Sequence, residues 1–391
     1  MGKKIKVMAL FVGVAGVACL LPSLSFSKAT GACVNCHTMH NSQDGAAVDA
    51  GGPYGALTNA NGCVGCHTGT NGDGKNIPYI MGPLPGAGTE TAGGSFYWVT
   101  VAGTDSLGAA VDGDTRGHNV VGISAQDGEI GSFTPPGWNA GFIANTQVAT
   151  AATVTWASQL TCAGVYGCHG KHTDAVLGGL DDFSAITGAH HADDSTIDGS
   201  STAASYRFLY GIIGTEDSDW ELTVGSADHN QYFGVDRADD TKPTSGLATQ
   251  TINYLCAECH GNFHSGAAND TLGSDDASFG AAWLRHPTDY DMNNVITKAD
   301  YAGYNEGSTA YNPVAPVATE SETAGVVDKL VTADITVAGD AIVNCVSCHR
   351  VHGSPYKDML RWDYTECNAA NAASNQTDCG CFVCHSTKDD V

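Results

Sequence analysis

Five times the chain writes two cysteines separated by two residues and followed at once by histidine: Cys33, Cys36, His37; Cys63, Cys66, His67; Cys256, Cys259, His260; Cys345, Cys348, His349; and Cys381, Cys384, His385. Thiols at that spacing add across the two vinyl groups of a haem and tether it covalently. The adjoining imidazole is then held where it binds the iron from one face. A sixth, stretched copy, Cys162-Ala163-Gly164-Val165-Tyr166-Gly167-Cys168-His169, puts five residues between the thiols. Gly164 and Gly167 would let that longer loop arch, because glycine adopts backbone angles that other residues avoid. The plain alternative for this pair is a disulfide, or two free thiols beside an unrelated histidine. The following Gly170-Lys171-His172 echoes the other sites and favours a sixth haem c.

The second axial position decides the chemistry. An iron with imidazole on both faces passes electrons; an iron with an open face binds and transforms a small molecule. Of 15 histidines, six adjoin attachment cysteines, which leaves those at 40, 118, 172, 190, 191, 229, 264, 286 and 352. His40, His172 and His352 follow their proximal partners by three residues, and His264 follows by four. Both rings of such a pair lie on the same side of the attached haem, so the second is expected to point to the iron of a neighbour. His118 in Arg116-Gly117-His118-Asn119 and His286 in Leu284-Arg285-His286-Pro287 complete a set of six, each beside an arginine able to neutralise a propionate. The bland reading of all six is a surface or propionate-binding histidine. His190, His191 and His229 sit in acidic, loop-like sequence and are weaker candidates, although the His190–His191 pair could displace one of the six. No Cys-x-x-Cys-Lys variant marks a catalytic haem, and no catalytic residue is assigned.

The elements that must position these groups are few. Residues 1–29 read as a secretory signal, with Lys3, Lys4 and Lys6 before an apolar run from Val7 to Leu21. Cleavage would follow Ser25-Phe26-Ser27 or Ser27-Lys28-Ala29; Cys19 admits a lipoprotein reading, but the residues before it match poorly. The apolar run is too short to span a bilayer and no second one appears, so an exported chain without a transmembrane span is expected. Abundant cysteine suits the same oxidising compartment. The remaining chain, 30–391, reads as a single elongated domain with roughly 60 residues per haem. With 49 glycines and 8% aromatics it cannot build an ordinary apolar core. The expected fold is a multihaem c-type cytochrome, mostly irregular loop with short helices and a few short strands, wrapped around a chain of haems. Patches such as Ser95–Val101 and Ala152–Trp156 suggest the strands. A formal charge of -25 argues against nucleic acid or anionic lipid as partners.

Several of these stretches recur in order in one family: Cys33 to His37 with Thr38-Met39-His40-Asn41-Ser42, Arg116 to Asn119, Tyr206-Arg207-Phe208-Leu209, Cys256 to His260 with His264, Leu284 to Pro287, and Asn344 to His352. The chain resembles the OmcS-like family of outer-surface hexahaem cytochromes, which polymerise into conductive filaments in metal-reducing bacteria. The likeness spans nearly all of the mature chain. It implies six bis-histidine haems in stacked pairs, and His40 ligating the fifth haem (His349) of a neighbouring subunit. Two features depart from the family: the long third attachment site, and a shortened stretch between sites five and six that carries Cys367 and Cys379. Those two are expected to form a disulfide; alternatively Cys379 competes with Cys381 for the sixth haem.

The expected function is extracellular electron transfer through self-assembled filaments, with copies of the chain, redox proteins and acceptors such as metal oxides as partners. Alternatives are a periplasmic oxidoreductase with one open haem and a monomeric shuttle with every ligand internal.

Overall fold

The computed structural model describes residues 28–73, 77–86, 88–138, 156, 158–172, 182–237, 243–264, 286, 288–297, 304, 311–322, 333–368 and 377–386. Residues 1–27 of the expected signal, 1–29, lie outside them. Among the described residues regular structure is scarce, and what exists serves the cysteine motifs. The α-helices are α1 (Gly62–Cys66), α2 (Ile252–His260) and α3 (Cys381–Cys384), and each contains one motif's cysteine pair. Residues three apart on a helix share a face, so a single turn is enough to aim two sulfurs at one porphyrin edge. Single 3-10 turns at Cys33–Asn35 and Cys345–Ser347 start on the first cysteine of two further motifs. The longest of these helices, α2, is capped by Thr251, whose side chain accepts from the Tyr254 amide.

The third site is built differently. Strands β5 (Thr161–Ala163) and β6 (Gly167–His169) pair in parallel across a three-residue link, so the chain makes one complete loop between its two cysteines. Gly164 takes φ +86°, and a Cβ on Gly167 would stand 2.4 Å from the Ala163 nitrogen. Both glycines expected to permit the arch are therefore sterically required by it.

The remaining strands are short. Ribbons β1–β2 (Ser42–Gln43, Ala46–Ala47) and β3–β4 (Gly103–Thr104, Ala110–Val111) are antiparallel. A five-stranded sheet runs β7-β8-β10-β11-β9 (Gly214–Thr215, Gln231–Phe233, Ala318–Thr319, Ile342–Val343, Tyr290–Asp291), with only β8–β10 parallel. Ser95–Val101, expected as a strand, is loop with a 3-10 turn at Trp98–Thr100. Side-chain contacts outweigh the strand pattern there: the Trp98 indole donates to Glu90 (2.8 Å) and the Arg116 guanidinium lies 4.8 Å over its ring. Residues 152–155 of the second expected strand lie outside the described residues.

Apolar side chains gather in separate small clusters and not in one core. The largest joins Met292, Tyr304, Val317, Trp362 and Val383; another joins Tyr206, Ile252, Leu255, Ile342 and Val346. Attachment cysteines border both, Cys348, Cys381 and Cys384 on the first and Cys168 and Cys256 on the second. Protein packing is thus organised around the motifs, as expected if large flat cofactors complete the interior.

Candidate haem-binding sites

Each proximal histidine directly follows its cysteine pair, and a carbonyl orients the ring of five of the six. Nδ1 donates to the backbone oxygen of Ala56 from His37 (3.0 Å), of Pro78 from His67 (2.8 Å) and of Arg207 from His169 (2.9 Å). The same bond runs from His260 to Pro136 (2.7 Å) and from His349 to Asp358 (2.7 Å). A carbonyl on Nδ1 fixes the tautomer with Nε2 as the basic nitrogen, the arrangement usual for a metal-bound imidazole. Burial favours the neutral form of four of these rings. It pushes His169 and His260 down to about 4 and lowers His67 and His349. Only the neutral ring can ligate a metal.

Five of the six proximal rings face a second histidine at nearly constant separation. Ring centroids lie 6.0 Å apart for His37–His191, 6.4 Å for His67–His190, 6.4 Å for His169–His352, 6.1 Å for His260–His118 and 6.1 Å for His385–His286. Direct stacking would bring rings much closer, as His229 and Tyr311 show at 3.5 Å and 2°. A metal about 2 Å from each nitrogen, with each ring centre about 1 Å farther on, sets two imidazole centres about 6 Å apart. The donor set therefore fits iron held between two imidazoles. Four of the second rings are also shifted toward the neutral form, with His190 at about 4 and His352 at about 3, both from burial first, and His118 and His286 lowered by burial. His118 also donates from Nδ1, to the Val351 carbonyl at 2.7 Å.

Not every expected distal ligand is arranged this way. His172 is buried with Nδ1 2.9 Å from Glu258 and Nε2 3.1 Å from the Cys168 carbonyl. His264 stands with Nε2 3.0 Å from Asp289 and with Nδ1 accepting from Arg237 at 2.8 Å. The spacing that suggested them, three or four residues past a proximal histidine, turns each ring into a buried polar network with a carboxylate. His190 and His191, on the 3-10 turn Ala189–His191, instead stand opposite two proximal rings. Their adjacency was the sequence signal: neighbouring residues diverge enough to reach two rings, here His67 and His37. His40 is exposed, with φ +65°, and follows the exposed Met39. Among the described residues, no ring faces His349 at the separation of the five pairs.

Consecutive sites adjoin. Cys66 is raised by burial, then by Cys36; Cys168, pushed up to about 12 by burial, also feels Cys256. Cys345 is raised first by a hydrogen bond with Cys256, and Cys348, at about 12 from burial, also feels Cys381. His169 is lowered further by His67. Between sites five and six, Cys367 and Cys379 form a disulfide with Cα atoms 5.2 Å apart. No helix among the described residues is long and apolar enough to cross a membrane.

Comparison with known proteins agrees with the motifs. Residues 337–390 match a family described as a doubled CXXCH motif. The C-type cytochrome OmcS of Geobacter sulfurreducens is 28% identical over 381 residues, covering 88% of this chain and 82% of that protein. Among solved structures, the Outer Membrane Cytochrome S filament of that organism is 23% identical, covering 86% of this chain and 85% of its own at a TM-score of 0.42. The cryo-EM structure of its OmcS nanowires is 22% identical, covering 93% and 94%, at 0.45. On its motifs and its sequence similarity, the chain resembles OmcS-like multihaem cytochromes of the c type.

Proposed function

We propose that this protein is an exported electron carrier holding six haems c in a continuous line, and that it assembles head to tail into an extracellular filament. The attachment thiols are those of the six motifs, including Cys162 and Cys168. Axial pairs in chain order are His37–His191, His67–His190, His169–His352, His260–His118, His349 with a ligand from outside the subunit, and His385–His286. The observation that carries this reading is the recurring separation of 6.0–6.4 Å between facing imidazoles. Bound haem would supply the redox couple; the chain supplies two strong-field ligands per iron, excludes other ligands, and sets the potential through burial and nearby charge.

Two peptides would each grip two irons. His190 and His191 serve the second and first haems, while His349 and His352 serve the fifth and third. Such short bridges hold porphyrins close, which shortens the electron path. Assembly follows from the unmatched pair. His349 is oriented by Asp358 but faces no described histidine, whereas His40 is exposed beside exposed Val34 and Met39. One donates what the other lacks, and a head-to-tail contact that does not close propagates as a fibre. The OmcS-like resemblance points the same way.

Replacing His40 by alanine is expected to abolish filaments and leave one high-spin haem per subunit, seen by resonance Raman spectroscopy. Filaments with every haem low-spin in that variant would overturn the assembly reading. A second reading rests on the same His349. If its iron keeps an open face in the native state, the protein is an extracytoplasmic oxidoreductase. A wholly low-spin monomer would instead favour the shuttle, which the periplasm would also suit.

A further inference from the structure

We propose that the Cys367–Cys379 disulfide selects the thiols that take the sixth haem; the inference rests on the haem reading above. The C-terminal segment offers one thiol too many for that haem. Cys379, Cys381 and Cys384 all precede His385, and Cys379-x4-Cys384-His385 is itself an attachment spacing. It is tighter than Cys162-x5-Cys168-His169, so a chain that loads haem across five residues cannot reject four on spacing alone. Nor does position exclude the wrong thiol. The sulfurs of Cys367, Cys379 and Cys381 all lie within 4.8 Å of one another.

The disulfide removes the ambiguity. Cys379 is fully buried against the cluster of Trp362, Phe382 and Val383, while Cys381 is partly exposed at the start of α3. Trp362 also seals the intervening Gly380, where a Cβ would meet its ring at 2.2 Å. The S–S bond forms as Cys367 and Cys379 lose two protons and pass two electrons to a disulfide-bearing oxidant of the exported compartment. Haem attachment needs no oxidant. The S–H bonds of Cys381 and Cys384 break, each sulfur bonds to a vinyl carbon, and each hydrogen goes to the other carbon of that vinyl group. A sulfur already bonded to Cys367 has no hydrogen to add and cannot enter this reaction.

The test is peptide mapping of holoprotein after free thiols are alkylated, for wild type, C367S, C379S and C367S/C379S. Wild type should carry the sixth haem on Cys381 and Cys384 alone. C367S should yield a second haem-peptide isomer, attached through Cys379 and Cys384 with Cys381 alkylated. C379S and the double variant should return to a single isomer. Accumulation of C379S but not C367S would also support selection, because both lack the disulfide and only one frees the competing thiol. A single Cys381–Cys384 isomer in C367S would overturn the proposal, as would loss of both single variants, which would make the disulfide a folding brace. Wild type without haem on this segment would overturn the haem reading itself.

Discussion

At the scale of single residues, three proximal rings face His118, His286 and His352, which belong to the expected distal set, and two face His190 and His191, which the sequence ranked lower. A proximal histidine is fixed by its neighbours: attachment cysteines one and four residues before it, or one and seven at the third site, leave it one place to go. A distal histidine is fixed by tertiary contact, as with His37 and His191 or His169 and His352, and local spacing carries little of that. His172 and His264 looked right because they follow proximal partners closely, but each has a buried carboxylate within 3 Å or so, Glu258 and Asp289. The pairing proposed above gives a direct contrast. His190→Ala is expected to convert one low-spin haem per subunit to high-spin, whereas His172→Ala should leave all irons low-spin, as read by electron paramagnetic resonance.

His172 should act on stability through pH instead. Burial alone would lower its pKa, but the hydrogen bond and charge of Glu258 outweigh burial and hold it above the usual value. The folded state thus binds the proton more tightly than the unfolded one. That contribution is complete below the unfolded pKa of about 6.5 and is lost as pH rises through the raised folded value. Thermal unfolding of His172→Gln should accordingly show a flatter pH dependence above neutrality than the native chain. An unchanged slope would remove the pair from the account.

At the scale of elements, the cysteine pairs are easy to read because one helical turn suffices for each, and the motif itself is that turn. The stretched third site needed glycine reasoning, and the arch between β5 and β6 follows it. Gly167→Ala places a methyl 2.4 Å from the Ala163 backbone, where neither atom is the flexible end of a side chain. Such overpacking costs about 1–3 kcal/mol. The variant should lose haem at Cys162 and Cys168, measured as one haem fewer per chain by pyridine haemochrome assay. The strand reading of Ser95–Val101 failed for the opposite reason: its aromatic alternation is used by separate contacts to Glu90 and Arg116, not by a ladder. The chain's own start offers another check. Lys28 is folded in, donating to the Ser205 carbonyl at 2.9 Å and pairing with Glu216, and Ala29 donates to the His190 carbonyl at 2.9 Å. Cleavage after Ser27 keeps all three contacts and cleavage after Ala29 deletes them, so the intact mass should correspond to a mature chain starting at Lys28.

At the scale of the whole molecule, composition already ruled out an ordinary core, and the scattered small clusters follow from it. Which histidine lacks a partner is a property of all the pairs together, and in the sequence only the family resemblance pointed to His349. Charge adds an expectation for assembly. Subunits of formal charge -25 repel, and salt shortens the reach of that repulsion from about 30 Å at 0.01 M to about 8 Å at 0.15 M. Filament length on electron micrographs should therefore grow with ionic strength over that range; shortening would indicate an interface held by ion pairs instead of by a coordination bond.

The central claim is that every iron in the assembled protein has imidazole on both faces. Carbon monoxide binding to the fully reduced filament, followed in the Soret band, tests it most directly. The account predicts no rapid uptake by intact filaments, and uptake at one haem per subunit once His40 is replaced by alanine. Rapid binding at any haem of the unmodified filament would contradict it.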